Sequence, residues 1–205
     1  STSNINVRNN QFRSSLAIVP VGADGNVHLY NRAGTAHAIL DVVGYLVKGV
    51  DPLTRQGRII PLVAPFRAFD TRQAVSGGAP LPPANAEDWS FASFIADTKV
   101  GAEPVGPQLG LIGNLTAAEL GRRPDGGGRA SFLTGYPTPA GTGTQVPDVS
   151  NIVIAGGEVN PNLALLKYGQ NAADPNCAAA HCLRFYNRDG YLHYLLDVSA
   201  VILAD

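Results

Sequence analysis

The chain has no methionine, one tryptophan and only three lysines (Lys48, Lys99 and Lys167) among its 205 residues. Charge is scarce as well. Fifteen basic residues face 16 acidic ones, a net of −1, and charged residues are 15% of the total. Nucleic-acid binders carry a basic face that displaces counterions from phosphates, so this balance gives no reason to expect a nucleic-acid partner. No apolar run approaches the ~20 residues that span a bilayer, so no membrane span is expected. No basic stretch leads into an apolar one as in a secretory leader. The G-x-S-x-G elbow, the P-loop and H-E-x-x-H are all missing. The expectation is a protein that is not an enzyme, with no catalytic residue and no cofactor or metal.

Cysteine is nearly absent too. The two residues, Cys177 and Cys182, lie in "DPNCAAAHC". Zinc would need two further ligands, and only His181 is near. A local disulfide suits a C-x4-C loop better and would imply an oxidising place, outside a cell or on a virion. Two free thiols in a loop are the plain alternative.

Glycine and proline are plentiful, at 23 and 15 residues. Together they reach about 19%, against a usual total of roughly 12%, which leaves little room for long helices. Strand patterns dominate. "SLAIVPVGADGNVHLYN" sets two apolar runs around Asp24-Gly25, a turn pair that closes hairpins. "TAHAILDVVGYLV" follows, so residues 15–47 read as a three-stranded meander. "NLALLKYG", "CLRFYN" and "YLHYLLDVSAVIL" repeat the pattern, and further strands are expected at 57–63, 66–70, 89–95, 108–116, 130–136 and 150–155. Loops fall at 73–86, 121–129 and 137–148. A helix is expected at most in "NLTAAELGRR". The fold class is therefore all-β.

The second half of the chain repeats the first. "YNRAGTAHAILDV" (30–42) and "YNRDGYLHYLLDV" (186–198) share eight of thirteen residues at an offset of 156. "SNINV" (3–7) matches "SNIVI" (150–154), and "SLAIVPVG" (15–22) matches "NLALLKYG" (162–169), both at an offset of 147. The nine-residue difference is an insertion after Gly169 that holds both cysteines. Residues 1–48 carry only the later half of the unit, whereas 61–205 carry an early half too. This organisation predicts an antiparallel sandwich or barrel built from a half copy and a full copy. Its parts are a half-repeat meander over 1–48, a connection over 49–60 and a full module over 61–205 packed with the first as one unit. The half copy must complete itself against the second copy or a neighbouring subunit, because unpaired strand edges invite association.

Pro65, Arg67, Asp70, Thr71 and Arg72 in "PFRAFDTR", with "SNINV", "VPVGADGNVHLYN" and "HAILDVVGY", make up a motif set. It resembles the β-rich repeat modules of actinobacterial secreted or wall-associated proteins and of some of their phage structural proteins. The second copy departs from that pattern in ending "DVSAVIL" and in carrying "LLKYG" for "VPVG". The resemblance implies a non-enzymatic structural module on an extracellular or virion surface. Such a module decorates, links or adheres through protein–protein contacts, as a homo-oligomer or within a larger assembly. The alternative is a carbohydrate- or wall-binding module accessory to a hydrolase, with a cell-surface glycan as partner.

The polar candidates divide accordingly. His37/Asp41 and His193/Asp197 share H-x3-D spacing, which on a strand puts the two side chains about 13 Å apart. That is too far for a dyad, so each is read as scaffold with a partner on another strand. Arg67 and Arg72 are the candidates to neutralise an aspartate. Asp70 between them reads as an ion-paired strand entry, or alternatively as a carboxylate- or sugar-recognition site. Candidate ligand contacts are Trp89, Tyr136, Arg122 and Arg123, with Tyr45 and Tyr191 as further aromatics.

Overall fold

The computed structural model describes residues 3–48, 54–100, 103–127, 129–141, 145–178 and 181–205. Parts of the expected features lie outside them: 1–2 of the half-repeat, 49–53 of the connection, 101–102 of the full module, 128 and 142–144 of two loops, and 179–180 of the cysteine insertion.

Alternating apolar side chains build two four-stranded antiparallel sheets. In the first, β1 (Ile59–Asp70), β10 (Tyr191–Leu203), β5 (Gln108–Gly121) and β8 (Val159–Lys167) lie side by side in that order. In the second the order is β2 (Asn85–Ser90), β9 (Cys182–Asn187), β6 (Ala130–Pro137) and β7 (Ile152–Ala155). β3 (Lys99–Val100) and β4 (Glu103–Pro104) form a separate ribbon. The sheets pack as a sandwich, each contributing one inner face to the core.

β10 shows how the pattern becomes a core. Leu192, Tyr194, Leu196 and Val198 alternate inward and are fully buried. A register shift against β5 between Val198 and Ala200 then changes the phase. Val201 and Leu203 face a second, smaller cluster with Val105, joined by Ile60, Leu62 and Phe94. At the centre of the main core Phe69 stacks on Trp89 with ring centroids 4.2 Å apart. Phe69 also meets Phe185 and Tyr194 edge-on at 5.4 and 5.2 Å. One aromatic knot thus draws on β1 and β10 of one sheet and on β2 and β9 of the other.

Three expectations change. "NLTAAELGRR" is no helix: its first eight residues extend β5 to Gly121, between β10 and β8. Cross-strand pairing on both sides overrides the helix propensity of alanine and leucine. Residues 89–95 are only partly strand. β2 ends at Ser90, and helix α1 (Ala92–Asp97) follows. Phe91, Phe94 and Ile95 stand at i, i+3 and i+4, a helical stripe that packs on the core.

The third change is the largest. No strand forms among the described residues of 3–48. The Asp24-Gly25 turn is made, with Gly22 N–H donating to the Asn26 carbonyl at 2.9 Å and Gly25 at φ 79°. The expected meander beyond it is an irregular, mostly exposed arm. A strand needs a neighbour for its backbone groups and a face to bury, and the sandwich positions such a segment would take already hold β8, β9 and β10.

The cysteine insertion closes into a stapled loop between β8 and β9. Cys177 and Cys182 are disulfide-bonded, with Cα atoms 5.6 Å apart, and both are buried. Asn171 and Asp174 cap turns inside it through side-chain bonds to the amides of Ala173 and Asn176. Replacing both cysteines with serine is expected to cost about 2 kcal/mol, since a short closed loop restricts the unfolded chain only modestly. Urea unfolding at neutral pH, with and without a reductant on the parent chain, measures this.

Candidate functional site

The "FRAFDTR" segment spans the end of β1 and joins it to the outer face of β10. Asp70, only 2% exposed, accepts from Arg72 Nε and Nη2 at 2.8 and 2.7 Å and from the Arg72 amide at 3.1 Å. Arg67 Nη1 adds a bond at 3.2 Å. Arg72's guanidinium beside it holds the Asp70 carboxyl at about 2, against the opposing effect of burial. Arg67 grips Asp197 with both arms of its fork, Nε and Nη2, at 2.8 and 2.9 Å. Arg72 also lies 3.6 Å from Glu119. Thr71 Oγ1 meets His193 Nδ1 at 3.1 Å and donates to the Tyr194 carbonyl at 3.2 Å.

His193 and Asp197 therefore work separately, each against β1. Their partners, Thr71 and Arg67, are four residues apart like themselves, and Arg67 and Asp197 stand opposite each other in the β1–β10 register. The cluster is a staple across two strands, with both carboxylate oxygens of Asp70 and of Asp197 engaged. Asp41 and His37, the equivalent pair in the arm, lack these partners. Asp41 accepts the Ser150 amide at 3.3 Å, and His37 is exposed.

The candidate ligand contacts disperse. Trp89 lies within the aromatic knot, its Nε1 donating to the Tyr194 hydroxyl at 2.8 Å. That hydroxyl donates in turn to Glu87. Tyr136 is buried, which raises its hydroxyl pKa, and Trp89 is partly buried with its ring stacked on Phe69. Tyr45 is exposed, and Tyr191 is partly so. Arg123 pairs with Asp125 and, at 3.1 Å, with Asp189, tying the β5–β6 tip to the β9–β10 turn. Arg122 and Arg129 rim a shallow cleft with Leu120 and residues 155–157. Both sulfurs are committed to each other, so no thiolate is left for a metal, and His181 packs edge-on to Tyr168 at 5.8 Å. Among the described residues no group of three or more His, Cys, Asp or Glu side chains is placed to hold a metal. Among them no helix is long and apolar enough to cross a membrane.

Two polar features went unseen in the sequence. Arg184 reaches Asp88 across β9 and β2 through Nε and Nη2 at 2.9 and 2.6 Å, and Thr138 donates to the same carboxylate at 2.9 Å. Only the strand register makes these residues neighbours. The second is the seat of the arm. Arg13 Nη1 donates to Asn160 Oδ1 at 2.5 Å and the Leu16 amide to Asn162 Oδ1 at 3.0 Å, while Ser14 Oγ accepts the Val153 amide at 3.2 Å. Positions 13 and 160 are equivalent at the 147-residue offset, so the arm lies beside its own counterpart at the β7–β8 edge.

Most of the exposed large apolar side chains among the described residues belong to this arm. Ile39 and Tyr45 are 89% and 87% exposed. Compared with protein-family models, with curated proteins and with solved structures, the chain has no match.

Proposed function

We propose that this chain is a non-catalytic structural module that assembles through protein–protein contacts on a cell or virion surface, with the 3–48 arm as its contact element. The observation that carries the reading is the strand-patterned arm held outside the sandwich with its apolar side chains exposed. Unpaired backbone and apolar surface together favour pairing with another chain. The disulfide supports an oxidising environment, and the motif set supports kinship with the surface modules of actinobacteria and their phages. The dispersal of Trp89, Tyr136 and Arg123 into internal contacts leaves less support for a glycan platform.

Light scattering across a concentration series tests the assembly. The expected outcome is a mass above that of one chain that rises with concentration, and its loss on placing charges in the arm with Ile39→Asp and Val42→Asp. A compact monomer at every concentration would overturn the reading.

A further inference from the structure

We infer that residues 30–47 are one half of a split sandwich, and that their occupant is a second segment of the β1–β6 type carrying the F-R-x-x-D-T-R pattern. This rests on the assembly reading and names its partner. Residues 30–42 share eight of thirteen positions with 186–198. In the sandwich that stretch ends β9, turns, and enters β10, which is flanked by β1 and β5. A segment with the pattern of β10 therefore carries two edges and one apolar face that suit a β1-type and a β5-type strand.

The local turn is already set. Asn31 Nδ2 donates to the Gly34 carbonyl at 2.9 Å, and Gly34 has φ 72°. Asn187 makes the same bond to Gly190 at 2.8 Å, and Gly190 has φ 64°. Glycine suits both positions because a side chain is strained at positive φ. Asn187 then goes further. It donates to the carbonyls of Leu81 and Pro82 at 2.9 and 3.1 Å and accepts from Ser131 Oγ at 2.7 Å, all from the β1–β6 half. Asn31 is exposed and has no such partners among the described residues.

The apolar face tells the same story. Leu196 and Val198 are 0% exposed, while Leu40 and Val42, at the equivalent positions, are 65% and 79% exposed. Charge completes the specification. Asp197 takes the Arg67 guanidinium and His193 takes Thr71. Asp41 and His37 therefore call for an arginine and a threonine at the same four-residue spacing. The chain's own β1 and β5 cannot supply them, because both are paired with β10. The occupant is thus a second such half, seated beside the first at the β7–β8 edge where residues 13–16 already dock.

A fusion that places an additional copy of residues 57–149 ahead of Ser1 tests this by amide hydrogen exchange. The expected result is that exchange over 36–47 slows by ~100-fold or more relative to the parent chain, toward the protection of 191–203, which serves as the internal control. Changing the arginine equivalent to Arg67 in the added copy, or Asp41→Ala in the arm, is expected to return about tenfold of that protection. The same 57–149 polypeptide added separately to the unmodified chain provides a second measurement. If 36–47 exchanges as freely as in the parent in both experiments while 191–203 stays protected, the proposal is overturned. Protection gained equally with the arginine removed would overturn it as well. Failure here with concentration-dependent mass intact removes this occupant and leaves the assembly. Protection in the fusion with a monomeric parent chain does the reverse.

Discussion

Replacing Asp70 with alanine is expected to lower stability by about 3 kcal/mol, because it breaks a buried charge-assisted network. The carboxylate accepts from two guanidinium nitrogens of Arg72, from the Arg72 amide and from Arg67. Its loss frees the β1 terminus from Arg72 and leaves Arg67 with Asp197 alone. The same residue sets an acid limb. Its folded pKa of about 2 lies below the ordinary value of 3.8, so the unfolded chain binds the proton more readily. The contribution is complete above the unfolded value and is lost as pH falls from about 4 toward 2. Urea unfolding at a series of pH values should show this decline in the parent and a shallower one in Asp70→Asn. An equal slope in both proteins would remove Asp70 from the acid response.

Phe69→Ala should be more costly still, at about 4 kcal/mol, since a buried phenyl ring is lost and its cavity is lined by large rigid side chains. Phe69 stacks on Trp89 and meets Phe185 and Tyr194 edge-on, so it ties both sheets together. Phe69→Leu, which keeps most of the volume, is expected to cost under about 2 kcal/mol. Trp89 is the sole tryptophan, and its emission reports directly on this packing. A red shift in folded Phe69→Ala, together with the lowered denaturation midpoint, is the expected pair of observations. An alanine variant as stable as the leucine one would show that the knot relaxes around the gap.

Phe69 and Asp70 are neighbours in a single motif, which shows how much was legible beforehand. The motif marked an ion-paired turn with Asp70 between two arginines, though at the end of β1 and not at a strand entry, and it named Arg67 and Arg72 as candidate partners for an aspartate in an apolar strand. It could not say that Arg67 takes Asp197 while Arg72 takes Asp70, because that choice is made by the β1–β10 register and its shifts. Trp89 and Tyr136 read as open aromatics for a similar reason. Composition does not tell an outward ring from an inward one when the facing strand is unknown. The Asp88–Arg184 pair lies 96 residues apart in the chain and left no local signal at all.

Elements followed local pattern where neighbours agreed with it. β9 and β10 alternate as their sequences do, and Cys177 in the loop lies close enough in sequence to Cys182, the first residue of β9, for their bond. "NLTAAELG" became strand because β8 and β10 lie on either side of it.

By itself the sequence determined the all-β class, the strands of 150–203, the turns at Asp24-Gly25 and Asp189-Gly190 and the recurrence of one cassette, because these depend on side-chain period and turn chemistry within a few residues. That neither turn closes a hairpin, β9 and β10 lying in different sheets, was decided by the tertiary structure. Which copy of that cassette is folded was decided only in three dimensions. Both have the pattern of a central strand, but one set of β1 and β5 edges exists among the described residues, and β10 holds it. The other copy is left with its turn made and its apolar face exposed.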